Sequence, residues 1–385
     1  MATTITTSIP TLLAGYRSLE NGSERGLANE EREKKEEVVE KHHVSTVINY
    51  YRDPGDGSPP EPVRISDNTV KNKRPSIPVP TLVYDVTGEE DRFTLDGNGF
   101  QFVSLSSKSR KGDGEVRVRR RSEARQGEEG VDLNFDFHDP ELVQERYYPV
   151  VERLLKDATG SSRVLIFDHK TRVGPSNWHA LGEGNRAARG PLFRAHVDQS
   201  YDGAGIVLRR HLGGGDDEEG RDENGRARWQ IVNVWRPLKT ITRDPLAVAD
   251  AHSIPETDLV AASILYRDGS RDETWTILPP SSAPTTDLNS GSSGSGSGSD
   301  RGGGHRWYYK HAQKPDEVLL IKCFDSFSCI PSASITTNRR IIARRAPHSA
   351  FVDPAYEDID GNGNGNGKGN GPRESIEVRA LVFYD

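Results

Sequence analysis

The stretch RWQIVNVWRPL, Arg228 to Leu238, is short, rich in β-branched and aromatic residues, and closed by proline. Read as an extended strand, it places Asn233 and Trp235 on one face and Arg236 on the other. Seven further segments of the second half read the same way: GIVLRRHL (205–212), DLVAASILY (258–266), ETWTILP (273–279), RWYYKH (306–311), DEVLLIKCFDS (316–326), RIIARR (340–345) and ESIEVRALVFYD (374–385). Eight short strands with turn signals and almost no helix among them predict a mainly β fold, a barrel or double-sheet jelly roll.

Working outward, three tracts interrupt these strands, at 213–225, 290–304 and 361–371, and hold 18 of the 38 glycines. Such Gly/Ser/Asn-rich runs bury nothing, and lengthening a loop costs closure entropy only slowly, so they read as inserts in one domain. Upstream, TLVYDV (81–86), RFTLDGNGFQFVSL (92–105) and VDLNFDFHD (131–139) alternate as strands do. DPELVQERYYPVVERLLKD (139–157) spaces Leu142, Tyr147, Val150, Val151, Leu154 and Leu155 as one helix face behind an Asp-Pro start, and Gly160 stops it. SSRVLIFDHKTR (161–172) reads as a strand, central in a sheet. Residues 1–77, with few aromatics and the charge-alternating run Glu24–Lys41, read as a flexible leader before a single domain at 78–385.

Composition narrows the function. Of 385 residues, 33% are hydrophobic and 28% charged, the mean hydropathy is -0.71, and no apolar run approaches a membrane span. The start has neither a basic n-region nor a full apolar h-region, so a cytoplasmic protein is expected. A net charge of -7 with a pI near 5.9 argues against a nucleic-acid partner. The basic run Arg117, Arg119, Arg120 and Arg121 is flanked by acids and reads as solvated. Two cysteines, Cys323 and Cys329, are too few for a structural zinc site. No Gly-rich run carries the Lys-Ser/Thr of a phosphate loop.

The sharpest local signal is RAHVDQS, Arg194 to Ser200. On an extended strand His196 and Asp198 point to one side, two thirds of a set of two histidines and one carboxylate that holds Fe(II) on one face and leaves three positions for a co-substrate and dioxygen. A jelly roll brings distant strands together, so His348, in APHS, can complete the set, with His305 and His311 as alternatives. A 2-oxoacid bound to such a metal needs a cation for its far carboxylate. Arg373 and Arg379 share one face of the last strand; Arg379 is preferred because it sits among Val378, Ala380 and Leu381, and Arg236 is a further candidate. Tyr201, Trp235, Trp307 and Tyr309 are candidates for the wall of a small-molecule pocket.

HVDQSYDGA, WQIVNVWRPLKTITRDPLAVAD, RWYYKHAQKPDEVLLIKCFDS and APHSAFVDP, with RESIEVRALVFYD, resemble fungal and bacterial oxidoreductases related to the small chain of cephem 7α-methoxylase, a group that includes hydroxylase/desaturases of fungal secondary metabolism. The likeness runs from about Pro78 to Asp385; the leader and the three inserts depart from it. It implies a double-stranded β-helix, cupin-like, with Fe(II) and 2-oxoglutarate as cofactor and co-substrate and O2 as oxidant, hydroxylating or desaturating a small molecule. It also favours His348 as third ligand, since in this fold the distal histidine comes just before the strand bearing the arginine. A barrel that binds without chemistry, and a metal-dependent hydrolase or isomerase, remain alternatives at this point.

Overall fold

The computed structural model describes residues 40–105, 133–212, 228–281, 304–329, 342–359 and 372–384, which fall in one unit, Val39–Asp385. The run Glu24–Lys41 but for its last two residues, the basic run Arg117–Arg121 and the three Gly-rich inserts but for Gly304 lie outside the described residues.

Fifteen strands among the described residues form two sheets: β1 (Val44–Tyr51), β2 (Val63–Ile65), β3 (Val70–Lys71), β4 (Ser76–Asp85), β5 (Phe100–Ser104), β6 (Arg163–Arg172), β7 (His196–Val197), β8 (Trp229–Pro237), β9 (Leu246–Ala249), β10 (Leu259–Tyr266), β11 (Arg271–Ile277), β12 (Trp307–Tyr309), β13 (Glu317–Asp325), β14 (His348–Ala350) and β15 (Ser375–Phe383). The larger sheet has the order β1-β4-β12-β9-β14-β7-β11-β10-β2-β3, the smaller β5-β13-β8-β15-β6.

The smaller sheet explains why β8 is buried at nearly every position rather than alternating. One of its faces, with Val232, Val234, Val378, Ala380 and Val382, packs under the helical stretch from Pro140 to Thr159. The other, with Ile231, Trp235, Leu319, Ile321 and Leu381, meets the larger sheet. The helical stretch starts where the sequence says: Pro140 occupies the first turn and the Asp139 carboxylate accepts from the Glu141 and Leu142 amides. A π-helical turn, Val143–Tyr147, precedes the α-helix Tyr148–Thr159, and Gly160, at φ 71°, ends it. Val143, Tyr147, Val150, Val151 and Leu155 are its buried face, each worth about 1.5–3 kcal/mol of apolar burial.

Four readings are corrected. The leader does not run to residue 77: β1 pairs with β4 along its whole length, Val44 opposite Val83 through Tyr51 opposite Ser76, and β2 pairs with β10, so the strands between Val44 and residue 77 belong to the fold. GIVLRRHL is helical, Tyr201–Leu212, not a strand. Ser200 caps it, accepting from the Gly203 amide at 2.9 Å, and a Cβ on Gly203 would stand 2.0 Å from the Glu273 carbonyl oxygen, so only glycine lets this helix lie on β11. β6 is an edge strand rather than a central one. The described parts of RIIARR and VDLNFDFHD form no strand. No helix among the described residues is long and apolar enough to cross a membrane.

Candidate active site

His196 opens β7 and His348 opens β14, and the two residues face each other as an antiparallel pair. This single cross-strand pairing closes the gap of about 150 residues between them. Their rings stand 4.4 Å apart, and Asp198 follows β7 with its Oδ1 3.5 Å from His196 Nε2. One ligand atom from each of His196, Asp198 and His348 lies within 4.8 Å of the others.

The surroundings prepare these atoms for a cation. His196 Nδ1 meets the Arg194 carbonyl at 2.8 Å and His348 Nδ1 the Ala346 carbonyl at 3.3 Å. A carbonyl only accepts, so each Nδ1 carries the proton and each Nε2 keeps its lone pair. His348 Nε2 is buried with no hydrogen-bond partner, as an atom awaiting a metal would be. Burial, then the neighbouring His196, pushes His348 down to about 4, so it stays neutral. Asp198 Oδ2 accepts from Asn233 Nδ2 at 2.6 Å and pairs with Arg379 Nη2 at 2.8 Å, leaving Oδ1 on the histidine side. Burial raises the Asp198 carboxyl, but Arg379, His196 and His348 outweigh it and hold it well below the usual range. Asn233 and Glu377 come from neighbouring strands, β8 and β15, whose paired positions Asn233–Arg379 and Trp235–Glu377 face the larger sheet.

A cavity of roughly 1060 Å³, counted out to open solvent, reaches His196 and Asp198. Its lining combines an apolar cluster, Val63, Ile65, Val70, Trp178 and Ile264, with cationic side chains including Arg172, Arg189 and Arg194.

Residues 48–383 match a family described as an oxidoreductase/YMDC permease-like domain. Hydroxylase/desaturase efuI of Hormonema carpetanum is 31% identical over 90% of this chain and 97% of its own length. The chain belongs to this oxidoreductase family. Another relative, alpha-ketoglutarate-dependent dioxygenase tstK of Talaromyces stipitatus, is 28% identical over 88% of this chain and 96% of its own. Among solved structures, the iron and alpha-ketoglutarate-dependent endoperoxidase NvfI superposes with a TM-score of 0.57 at 21% identity, covering 89% of this chain and 98% of that one. That likeness carries the fold, the double-stranded β-helix implied by the family resemblance, where the strand pattern alone predicts a barrel or jelly roll.

The two alternatives for the third ligand have other neighbours. His305 Nε2 is engaged by Asp258 at 2.8 Å and its Nδ1 by the Tyr50 hydroxyl at 3.1 Å. His311 groups with His42 and Asp353 instead. The aromatic wall is also corrected: Tyr201, Trp235, Trp307 and Tyr309 do not line the cavity. Trp235 packs with Phe93, Phe100 and Ile321; Trp307 is fully buried and donates its Nε1 to the Tyr50 hydroxyl; Tyr309 meets the Phe351 ring edge to face. Tyr201 donates to Glu256 and lies under Arg344.

The three arginine candidates separate clearly. Arg236 is on the helix side of β8, against the Phe137 and Tyr147 rings, with Nε donating to the Pro315 carbonyl, so it is removed from the site. Arg379 is held by Asp198 and by Glu377, whose Oε1 takes two of its nitrogens at 2.7 and 2.9 Å. Arg373 is buried over Trp235; one nitrogen donates to the Asp244 carbonyl at 2.7 Å, but its Nε has no partner, nor has the buried Ser375 hydroxyl two residues on. Burial, then Arg172, pushes Arg373 down to about 9. Sequence reasoning missed Asn233 and Glu377 as supports of the site, although both alternate with candidate residues on their own strands.

Proposed function

We propose that this chain is an Fe(II)- and 2-oxoglutarate-dependent oxygenase that hydroxylates or desaturates a small molecule, with His196, Asp198 and His348 holding the iron. The observation that carries the reading is the convergence of their three ligand atoms, with a buried, unpartnered Nε2 on His348. Two imidazoles and one carboxylate in this pattern suit ferrous iron and leave positions for other ligands.

For the distal carboxylate of 2-oxoglutarate the preference passes from Arg379 to Arg373 with Ser375. Two buried donors without partners on one stretch of chain are costly unless an anion takes them, whereas Arg379 already has three carboxylates, Asp168, Asp198 and Glu377. Iron with 2-oxoglutarate and dioxygen supplies the oxidant for a C–H bond, the co-substrate leaving as succinate and CO2. The chain's own groups then have distinct tasks. The Arg194 and Ala346 carbonyls fix the imidazole tautomers, Asn233 and Arg379 orient Asp198, and the sheets around His348 exclude water.

The test is succinate formation from 2-oxoglutarate under iron and oxygen. His196→Ala and Asp198→Ala should each abolish it; unchanged turnover in both overturns the assignment.

A further inference from the structure

Six cationic side chains line the cavity, Arg74, Lys170, Arg172, Arg189, Arg194 and Arg379, against three carboxylates, Asp198, Asp272 and Glu273. Those carboxylates do not neutralise the wall. Asp272 is held by Arg210 at 2.6 Å and Glu273 by Arg271 at 2.7 Å, arginines outside the lining, and Asp198 pairs with Arg379. Lys170 has Asp168 at 3.2 Å. The other four arginines have no carboxylate within ion-pair distance among the described residues. Arg74 donates to the Glu61 and Ser263 carbonyls, Arg172 to that of Gly190 and Arg194 to that of Arg74; Arg189 Nε is buried with no partner.

These groups also repel one another. Burial, then Arg172, pushes Arg189 down to about 10; burial, then Arg194, does the same to Arg74. His179, which also lines the cavity, falls to about 4 through burial and the charges of Arg194, Arg172 and Arg189. Like charges gathered at the edge of a low-dielectric cleft raise the local concentration of anions and are relieved when one binds. Val63, Ile65, Val70, Trp178 and Ile264, clustered in the same lining, offer an apolar body its place.

We propose that the cavity takes an amphipathic acid: a small molecule with an apolar skeleton and an anionic group, a carboxylate or its like, docked on Arg189 and Arg194 with Arg74 and Arg172 beside them. The inference deepens the oxygenase reading and rests on it, because that reading assigns the distal carboxylate of 2-oxoglutarate to Arg373 and Ser375.

The probe is a matched pair of dyes, 8-anilinonaphthalene-1-sulfonate and its uncharged counterpart N-phenyl-1-naphthylamine, titrated into the full chain saturated with Mn(II) and 2-oxoglutarate. The sulfonate should bind at least about tenfold more tightly, the advantage expected of a charge-assisted contact. Arg189→Gln and Arg194→Gln should each erase most of that ratio, Arg189→Lys should retain it, and 2-oxoglutarate affinity measured by calorimetry should stay within about twofold. Equal binding of the two dyes, or a ratio that survives both glutamine variants, overturns the proposal. Loss of 2-oxoglutarate affinity in those variants also overturns it, by giving the arginines to the co-substrate. Full 2-oxoglutarate affinity in Arg373→Gln would instead remove the co-substrate assignment and leave the dye result standing. Either glutamine variant that melts early is replaced by Arg172→Gln, read for the same loss of the ratio.

Discussion

His42, His311 and Asp353 repeat the residue types of His196, Asp198 and His348, and their ligand atoms are gathered within the same 4.8 Å. The two clusters differ in what surrounds them. His42 Nε2 is already bonded to Asp353 Oδ2 at 2.9 Å, the His42 ring lies 4.4 Å from His311, and the His42 side chain is 36% exposed. In the other cluster both Nδ1 atoms are tied to carbonyls, and His348 Nε2 is buried without a partner. Residue type and spacing therefore do not separate the two clusters; the outer hydrogen bonds do.

The largest expected effect breaks the likeness outright. His196→Ala or Asp198→Ala should lower iron-dependent succinate formation by more than about a thousandfold, while His42→Ala and His311→Ala leave it within a few-fold, measured on the same preparation. Comparable losses from both clusters would mean that the contrast in hydrogen bonding has been misjudged. The arginines sharpen the same point. Arg373→Gln should raise the 2-oxoglutarate concentration for half-maximal rate by roughly 10- to 100-fold, the size of a lost charged hydrogen bond, whereas Arg236→Gln should change thermal stability and leave that concentration alone. Next comes the support of Asp198: Asn233→Ala, which removes one of the two donors to Asp198 Oδ2, should weaken Fe(II) or Mn(II) binding by about 10-fold or more in calorimetry, with no such change for Tyr356→Phe beside His42 and His311.

The smallest effect concerns His179, which is half-buried and belongs to neither cluster. Its value near 4 lies below the 6.5 of an ordinary histidine, so between these two pH values the unfolded chain binds more protons than the folded one. Stability contributed by the neutral ring is present above about 6.5 and is lost as pH falls towards 4. Thermal melts of His179→Gln across that window should show a shallower decline than the parent; parallel curves would assign the acid sensitivity elsewhere.

Much of this was readable from the chain. The His196-x-Asp198 pair announces itself through the two-residue period of a strand, and the strand content of 229–237, 317–325 and 375–383 came directly from composition. What failed has physical causes. Isoleucine and valine at 206 and 207 suggested a strand, but Ser200 at the cap and Arg209, Arg210 and His211 in the last turn are the helix signals that prevailed. Arg379 was preferred as the free clamp because its neighbours are apolar, and a strand pattern cannot show that Glu377 and Asp198 are within reach of it. Trp307 and Tyr309 look identical in sequence whether they face a cavity or the core. The cationic wall was invisible because Arg74, Arg172 and Arg194 come from separate stretches that only the sheet arrangement brings together.

The pairing of β7 with β14 rests on one residue pair, His196 with His348, between two very short strands. A bound ion would act there as a removable staple, joining remote parts of the chain more firmly than the backbone does. Iron supply would then set the lifetime of the folded molecule as well as its turnover, and starvation for the metal would show first as faster proteolysis around those two strands.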